Sequence, residues 1–303
     1  MEPHARRSQG RRAFSCLFGP LTASLEALEA RIPKRFASGS FFMSARPSHL
    51  LACFAWMAIS ACSTSLRSQP PAFTNSLGMC FAEVPVGQGK VLFGCEEAQR
   101  GHLALFQRLP SPPATEAALP ASNVSWKDAV AFCDWLTRLE REKGLIKASQ
   151  RYRLPTDHEW SCAAGIGQLE NAQATPEAKS NKLEGVFPWG RAWPPPQGAG
   201  NLCGRESQDD FPENFIADYH DGLSGGKLKA RASEANAFGI HDLSGNLWEW
   251  CEDLFRPGTN WRVLRGGSWK SARPQTLLAS HRTHDPDSYR SDSVGFRCVL
   301  VSE

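Results

Sequence analysis

Three features of the 303-residue chain predict an α+β domain that is rich in coil, with small sheets and two main helices. Alternating and apolar residues Val84, Val86, Val91, Leu92 and Phe93 read as two short strands. Helix-start chemistry followed by helical spacing appears at Ser125 and again at Thr156. Beyond Gly165 no long periodic helix can be drawn, and 25 glycines and 21 prolines favour irregular backbone.

The elements follow in order. Ordered structure is expected from Thr74-Asn75-Ser76-Leu77-Gly78-Met79, leading into the strand pair. A Pro-rich stretch, LPSPPATEAALP, then crosses to the first clear helix. Ser125 is its N-cap and Asp128 the reciprocal partner three residues on. Ala129, Phe132, Cys133, Leu136 and Leu139 give it an apolar stripe, and Gly144 ends it. In YRLPTDHEW, Thr156 caps a short second helix with Glu159 returning the bond.

The N-terminal region reads as an address. From Met43 the chain has one arginine and then an apolar run, Leu50 to Ile59, too short to span a bilayer and suited to the h-region of a secretory signal. It ends in Ile59-Ser60-Ala61-Cys62, which resembles the lipobox of bacterial lipoproteins. On this reading residues 1–42 are an upstream extension of a gene that starts at Met43, residues 43–62 are the signal, Cys62 carries the lipid, 63–73 form a tether and 74–303 the domain. Each buried methylene of the acyl chains contributes roughly 0.8 kcal/mol to anchoring. Ser63 carries no aspartate-type retention signal, so the expected location is the outer membrane, facing the periplasm or the cell surface.

Composition excludes less. A net charge of +3 with dispersed Lys and Arg gives no nucleic-acid footprint. Of ten cysteines, seven remain in the exported part: Cys80, Cys95, Cys133, Cys162, Cys203, Cys251 and Cys298. An odd number allows at most three disulfides, and no CxxC pair suggests zinc or a thioredoxin-like motif.

Backbone carbonyls in coil need partners, and hard cations are one kind of partner. Two places have suitable oxygens. Asp242 and Glu249 flank a glycine turn at Gly245, where a capped turn is the alternative. Asn201-Leu202 and Asp221-Gly222-Leu223 form the second, where a solvated acidic loop is the alternative.

Seven phrases then occur in order: NSLGM at 75, VSWKDAVAFCDWL at 124, YRLPTDHEW at 152, FPWG at 187, GIHDLSGNLWEWCEDL at 239, RVLRGGSW at 262 and VGFRC at 294. Together they resemble the formylglycine-generating enzyme, or sulfatase-modifying-factor, family across residues 74–303. The resemblance implies a variant of the C-type-lectin fold with small mixed sheets and two packed helices. It also implies two calcium sites. One takes the side chains of Asp242 and Glu249 with the carbonyls of Gly245 and Leu247; the other takes Asn201 and Asp221 with the carbonyls of Leu202 and Leu223. Cys298 falls where the family often has a disulfide partner.

The family's reaction does not carry over. Its two catalytic cysteines follow the GGS phrase and hold copper as thiolates, a soft-ligand requirement that oxygen donors do not meet. Here those positions are Ser271 and Thr276, and no cysteine lies between Trp269 and Val294. Copper is therefore not expected. The resemblance still implies a groove framed by Trp248, Ser268, Trp269 and Arg282. The expected role is a lipid-anchored binding module for a peptide, protein or glycan. The alternative is an oxidoreductase of the same family with another metal or substrate, drawing on His281, His284 and Asp285; Ser268 has no identifiable general base beside it.

Overall fold

The computed structural model describes residues 70–224 and 226–302. All belong to the unit Ser63–Glu303. The expected signal segment, Cys62 as the expected lipid site and the tether up to residue 69 lie outside the described residues.

In chain order the elements are β1 (Phe73–Thr74), β2 (Cys80–Val86), β3 (Gly89–Gly94), α1 (Arg100–Gln107), α2 (Ala114–Ala117), α3 (Trp126–Glu142), β4 (Gln150–Arg153), α4 (Asp157–Ala163), α5 (Pro176–Lys179), β5 (Trp248–Leu254), β6 (Trp261–Arg265), α6 (Pro274–Leu277), β7 (Thr283–Pro286), β8 (Val294–Gly295) and β9 (Val299–Ser302). They form an α+β fold with two sheets. One has the order β1-β2-β3-β9-β4 and is antiparallel throughout; the other has the order β7-β6-β5-β8, with β5 and β8 parallel. From residue 164 to 247 the backbone is almost entirely turns and short helices, the coil-rich region expected from the glycines and prolines.

The expected caps form as drawn. Ser125 Oγ accepts from Asp128 N at 3.2 Å, and Asp128 Oδ2 accepts from Ser125 N at 2.9 Å. Thr156 and Glu159 repeat the exchange at the start of α4. Such caps contribute about 1 kcal/mol each. The stripe Ala129, Phe132, Cys133 and Leu136 is buried against Tyr152, Phe296, Cys298 and Leu300, so α3 covers the first sheet. Phe132 meets Phe296 edge-on at 5.3 Å, and Cys133 Sγ lies 3.4 Å from Cys298 Sγ.

Two details depart from the sequence reading. β1 begins at Phe73, inside the expected tether. Between β3 and α3 the chain is not a plain crossing but carries α1 and α2. The start of α1 lacks a Ser, Thr, Asp or Asn cap; instead His102 Nδ1 accepts from Gln99 N at 3.3 Å, and the helix ends on Arg108 in the left-handed region.

Candidate functional site

Strand β6 runs straight into the GGS turn. Gly266 and Gly267 have φ of 94° and 83°, the left-handed region that favours glycine. A Cβ on Gly267 would also sit 2.9 Å from Leu277 Cδ2. Ser271 then braces the turn: its Oγ accepts from Ser268 N at 3.0 Å and its N donates to Ser268 O at 2.8 Å. Ser268 Oγ accepts from Lys270 N at 3.3 Å. Thr276 lies on α6 and donates its hydroxyl to Arg273 O at 2.8 Å. The two residues at the family's cysteine positions are thus occupied with local backbone.

Behind the turn is a buried ion network that the sequence reading missed. Asp157, at the start of α4, receives Arg265 Nη1 at 2.5 Å, Arg282 Nε at 2.9 Å and Lys179 Nζ at 2.5 Å. Arg282 Nη2 also reaches Glu170 Oε2 at 2.6 Å. Burial alone would raise the Asp157 carboxyl, but Arg265, Arg282 and Lys179 overcome it and hold it well below the usual range. This corrects one groove expectation. The Arg282 side chain is fully shielded from solvent and belongs to this network, so it is not a recognition arginine at the surface.

The aromatic candidates divide. Trp269 is buried against Phe211, at 6.0 Å between rings, and Leu228; Ser268 is buried as well, so neither lines an open groove. Trp248 is half-buried and lies 5.7 Å from the His281 ring. His281 Nδ1 is 2.9 Å from Asn181 Oδ1. Burial first, then repulsion from Arg265 and Arg282, pushes His281 down to about 4, so its ring is neutral at physiological pH. His284 faces elsewhere, stacked on Trp261 at 4.4 Å and 4.3 Å from Phe255. His281 and His284 therefore make separate contacts, and Asp285 follows His284 along β7 without joining them into a cluster.

The expected cation ligands lie on two interlocked turns. Asn246 N donates to Asn201 O at 2.7 Å, and residues 201 and 245 form an isolated parallel bridge. The contact is backbone on backbone: a Cβ on Gly245 would stand 2.1 Å from Asn201 O. Asp221 Oδ2 accepts from Leu202 N at 2.9 Å and Oδ1 from Leu223 N at 2.8 Å. Asp221 therefore faces both segments whose carbonyls the resemblance names, and each of its oxygens retains a second lone pair. Asn201 Nδ2 is bound to Lys227 O and Asn246 Oδ1, which turns its amide nitrogen away from ligand duty.

The other set is more crowded. Asp242 Oδ1 accepts from Ser233 N at 2.7 Å, while its Oδ2 is buried with no partner. Glu249 is held by protein donors: Arg297 Nε at 2.7 Å and Trp160 Nε1 at 2.9 Å on Oε2, and Arg297 Nη2 on Oε1. Nearby Glu97 accepts from Asn246 Nδ2 at 2.6 Å and Leu247 N at 3.1 Å. Burial, then Asp242 and Glu249, pushes Glu97 far up, and burial lifts Asp242 to about 6. Asn201, Asp221 and the two leucine carbonyls are all oxygen donors, the chemistry a hard cation takes, and Asp221 bonds the backbone of both leucines. In the second set Asp242 has a free buried oxygen, whereas Glu249 is already committed to Arg297.

This geometry can be set beside known proteins. The Sulfatase-modifying factor enzyme 1-like domain matches residues 93–301. A mouse protein named inactive C-alpha-formylglycine-generating enzyme 2 is 34% identical over 205 residues, 64% of this chain and 54% of that protein. Mouse formylglycine-generating enzyme is 31% identical over 200 residues, 59% of this chain and 44% of that protein. The chain thus spans about half the length of the curated relatives it matches. Among solved structures, Treponema denticola variable protein 1 aligns with a TM-score of 0.42 at 17% identity, over 73% of this chain and 92% of that one. The family's domain covers most of the described residues, and the chain belongs to the sulfatase-modifying factor enzyme 1-like, or formylglycine-generating enzyme, family.

Proposed function

We propose that this chain is a non-oxidase member of its family, a binding module held at the cell envelope through a lipid on Cys62. The observation that carries the reading is the pair Ser271 and Thr276. Each stands where the family needs a copper-binding thiolate, and each directs its hydroxyl to a neighbouring backbone group. Hydroxyl oxygen does not hold Cu(I) as thiolate does, so the oxidation of a substrate cysteine loses its metal. That a 34% identical relative is itself named inactive supports the same reading.

Recognition would centre on Trp248 and His281, a half-buried indole beside a neutral imidazole. An aromatic with a polar neighbour suits a peptide, a protein segment or a glycan, and the dispersed positive charge favours none of the nucleic acids. Calcium would serve stability through Asn201, Asp221 and the carbonyls of Leu202 and Leu223; the set of Asp242, Gly245, Leu247 and Glu249 is not proposed, because Arg297 already holds Glu249. Its part would be to neutralise buried carboxylates and satisfy coil carbonyls.

The test is a binding comparison on peptide and glycan arrays between wild-type protein and Trp248→Ala. Capture that falls at least tenfold in a folded W248A protein supports the reading. A ligand held equally by both proteins would remove Trp248 from recognition, and consumption of a captured cysteine peptide under oxygen would contradict a binding role.

A further inference from the structure

The β2–β3 register pairs Phe81 with Gly94, which makes Cys80 and Cys95 the next opposing residues. The backbone agrees: Cys95 N donates to Cys80 O at 2.9 Å. Both side chains lie on one face of the sheet, since Cys95 packs with Ala82, Val84, Val91 and Phe93 and Cys80 packs against the same cluster. Directly opposed residues in an antiparallel pair have Cα atoms about 4.5–5.5 Å apart. A disulfide requires Cα atoms about 4.4–6.8 Å apart, so the backbone already meets the condition.

We propose that Cys80 and Cys95 form a cross-strand disulfide that closes the β2–β3 hairpin. Cys80 is half-exposed at the wall of a cavity of about 300 Å³ that also touches Met79, Glu96, Glu97, His102 and Arg231. Its sulfur rests 3.7 Å from Thr74 Oγ1 and 3.8 Å from Gly78 O, contacts weak enough to exchange when the side chain rotates toward Cys95. Burial, with Cys80 next in order, pushes the Cys95 thiol up to about 11, so the exposed partner is the one that starts the exchange.

The oxidant is a small disulfide of the glutathione class. The Cys80 thiolate attacks one of its sulfurs and releases one thiol, leaving a mixed disulfide on Cys80. Cys95 then gives up its proton, attacks the Cys80 sulfur and releases the second thiol. The two protein thiols lose two electrons and two protons, and the oxidant gains both. The bond fixes the cavity rim beside Glu97 and secures the end of the hairpin nearest β1. It is independent of Cys133 and Cys298, whose sulfurs meet in the other core cluster.

The experiment uses the full chain equilibrated with oxidised and reduced glutathione, unfolded with iodoacetamide present, and digested with trypsin without reductant. Cleavage after Arg67, Lys90 and Arg100 separates the two cysteines into peptides 68–90 and 91–100. The expected result is one species with the summed mass of the two peptides less two hydrogens, which splits on reduction. Finding both peptides singly alkylated, or 91–100 joined to a different cysteine, would overturn the pairing. In Cys80→Ser, Cys95 is expected to take the alkyl group; Cys95 still blocked there would also overturn it. The pairing is read in a defined buffer, so it stands or falls separately from acylation of Cys62.

Discussion

Arg297 Nε donates to Glu249 Oε2 at 2.7 Å and Arg297 Nη2 donates to Glu249 Oε1, with both side chains fully shielded from solvent. The same guanidinium reaches Gly94 O at 3.0 Å, His241 O at 3.0 Å and Asp242 O at 3.2 Å. One residue from the VGFRC phrase thereby ties β5, the end of β3 and the turn at Asp242. Removing one partner of a buried pair leaves an uncompensated charge and costs about 3–5 kcal/mol. Arg297→Met is expected to lose stability in that range by urea unfolding. Adding Glu249→Leu is expected to restore part of it, because the stranded carboxylate is gone.

Two groups, His281 and Asp157, should lose stabilisation on acidification. An unfolded imidazole takes its proton near pH 6.5, whereas His281 does not until about 4. Between those values the unfolded chain binds more protons, so stability falls as pH falls. Asp157, held below the usual carboxylate range by Arg265, Arg282 and Lys179, adds a second loss below the unfolded carboxyl value of about 3.9. Its contribution is complete above that value and disappears as pH falls toward its folded value. The buried carboxyls of Asp242 and Glu97, both raised, act in the opposite direction as pH falls, so the His281 loss is read as the difference between wild type and His281→Gln in thermal melts from pH 7 to 4. Wild type is expected to lose stability relative to His281→Gln as pH falls through that range, and Asp157→Asn is expected to destabilise the protein even at pH 7.

Chelation tests the cation reading. A ligand at one hundred times its dissociation constant stabilises by about 2.7 kcal/mol. For a domain of this size each kcal/mol corresponds to about 2–4 °C in Tm. Excess chelator is expected to lower Tm by about 5–10 °C, calcium to restore it, and Asp221→Ala to abolish the response. A Tm indifferent to chelator would remove calcium from Asn201 and Asp221 alike.

Local chemistry explains what the sequence made legible. Ser125 with Asp128, and Thr156 with Glu159, are short-range signals and mark α3 and α4 correctly. The alternation around Val84 and Val91 marks β2 and β3. Helix α1 went unread because its cap is the unusual Gln99–His102 exchange, with Gly101 inside the first turn. The site was less legible because its partners are distant in sequence. Glu97 meets Asn246 and Leu247 across about half of the chain, and Arg282 finds Asp157 and Glu170 from far away. No spacing rule announces such pairs, and an arginine on a loop reads as exposed until its carboxylates are found.

On the proposed function, the frame of the family's site persists here without its oxidase chemistry. The direct measurement is mass spectrometry of a sulfatase-type cysteine peptide incubated with the copper-loaded protein, oxygen and reductant, beside mouse formylglycine-generating enzyme as the positive control. The expected result is an unchanged peptide in the presence of this chain and conversion in the control. Formylglycine appearing at a rate proportional to the amount of this protein would contradict it.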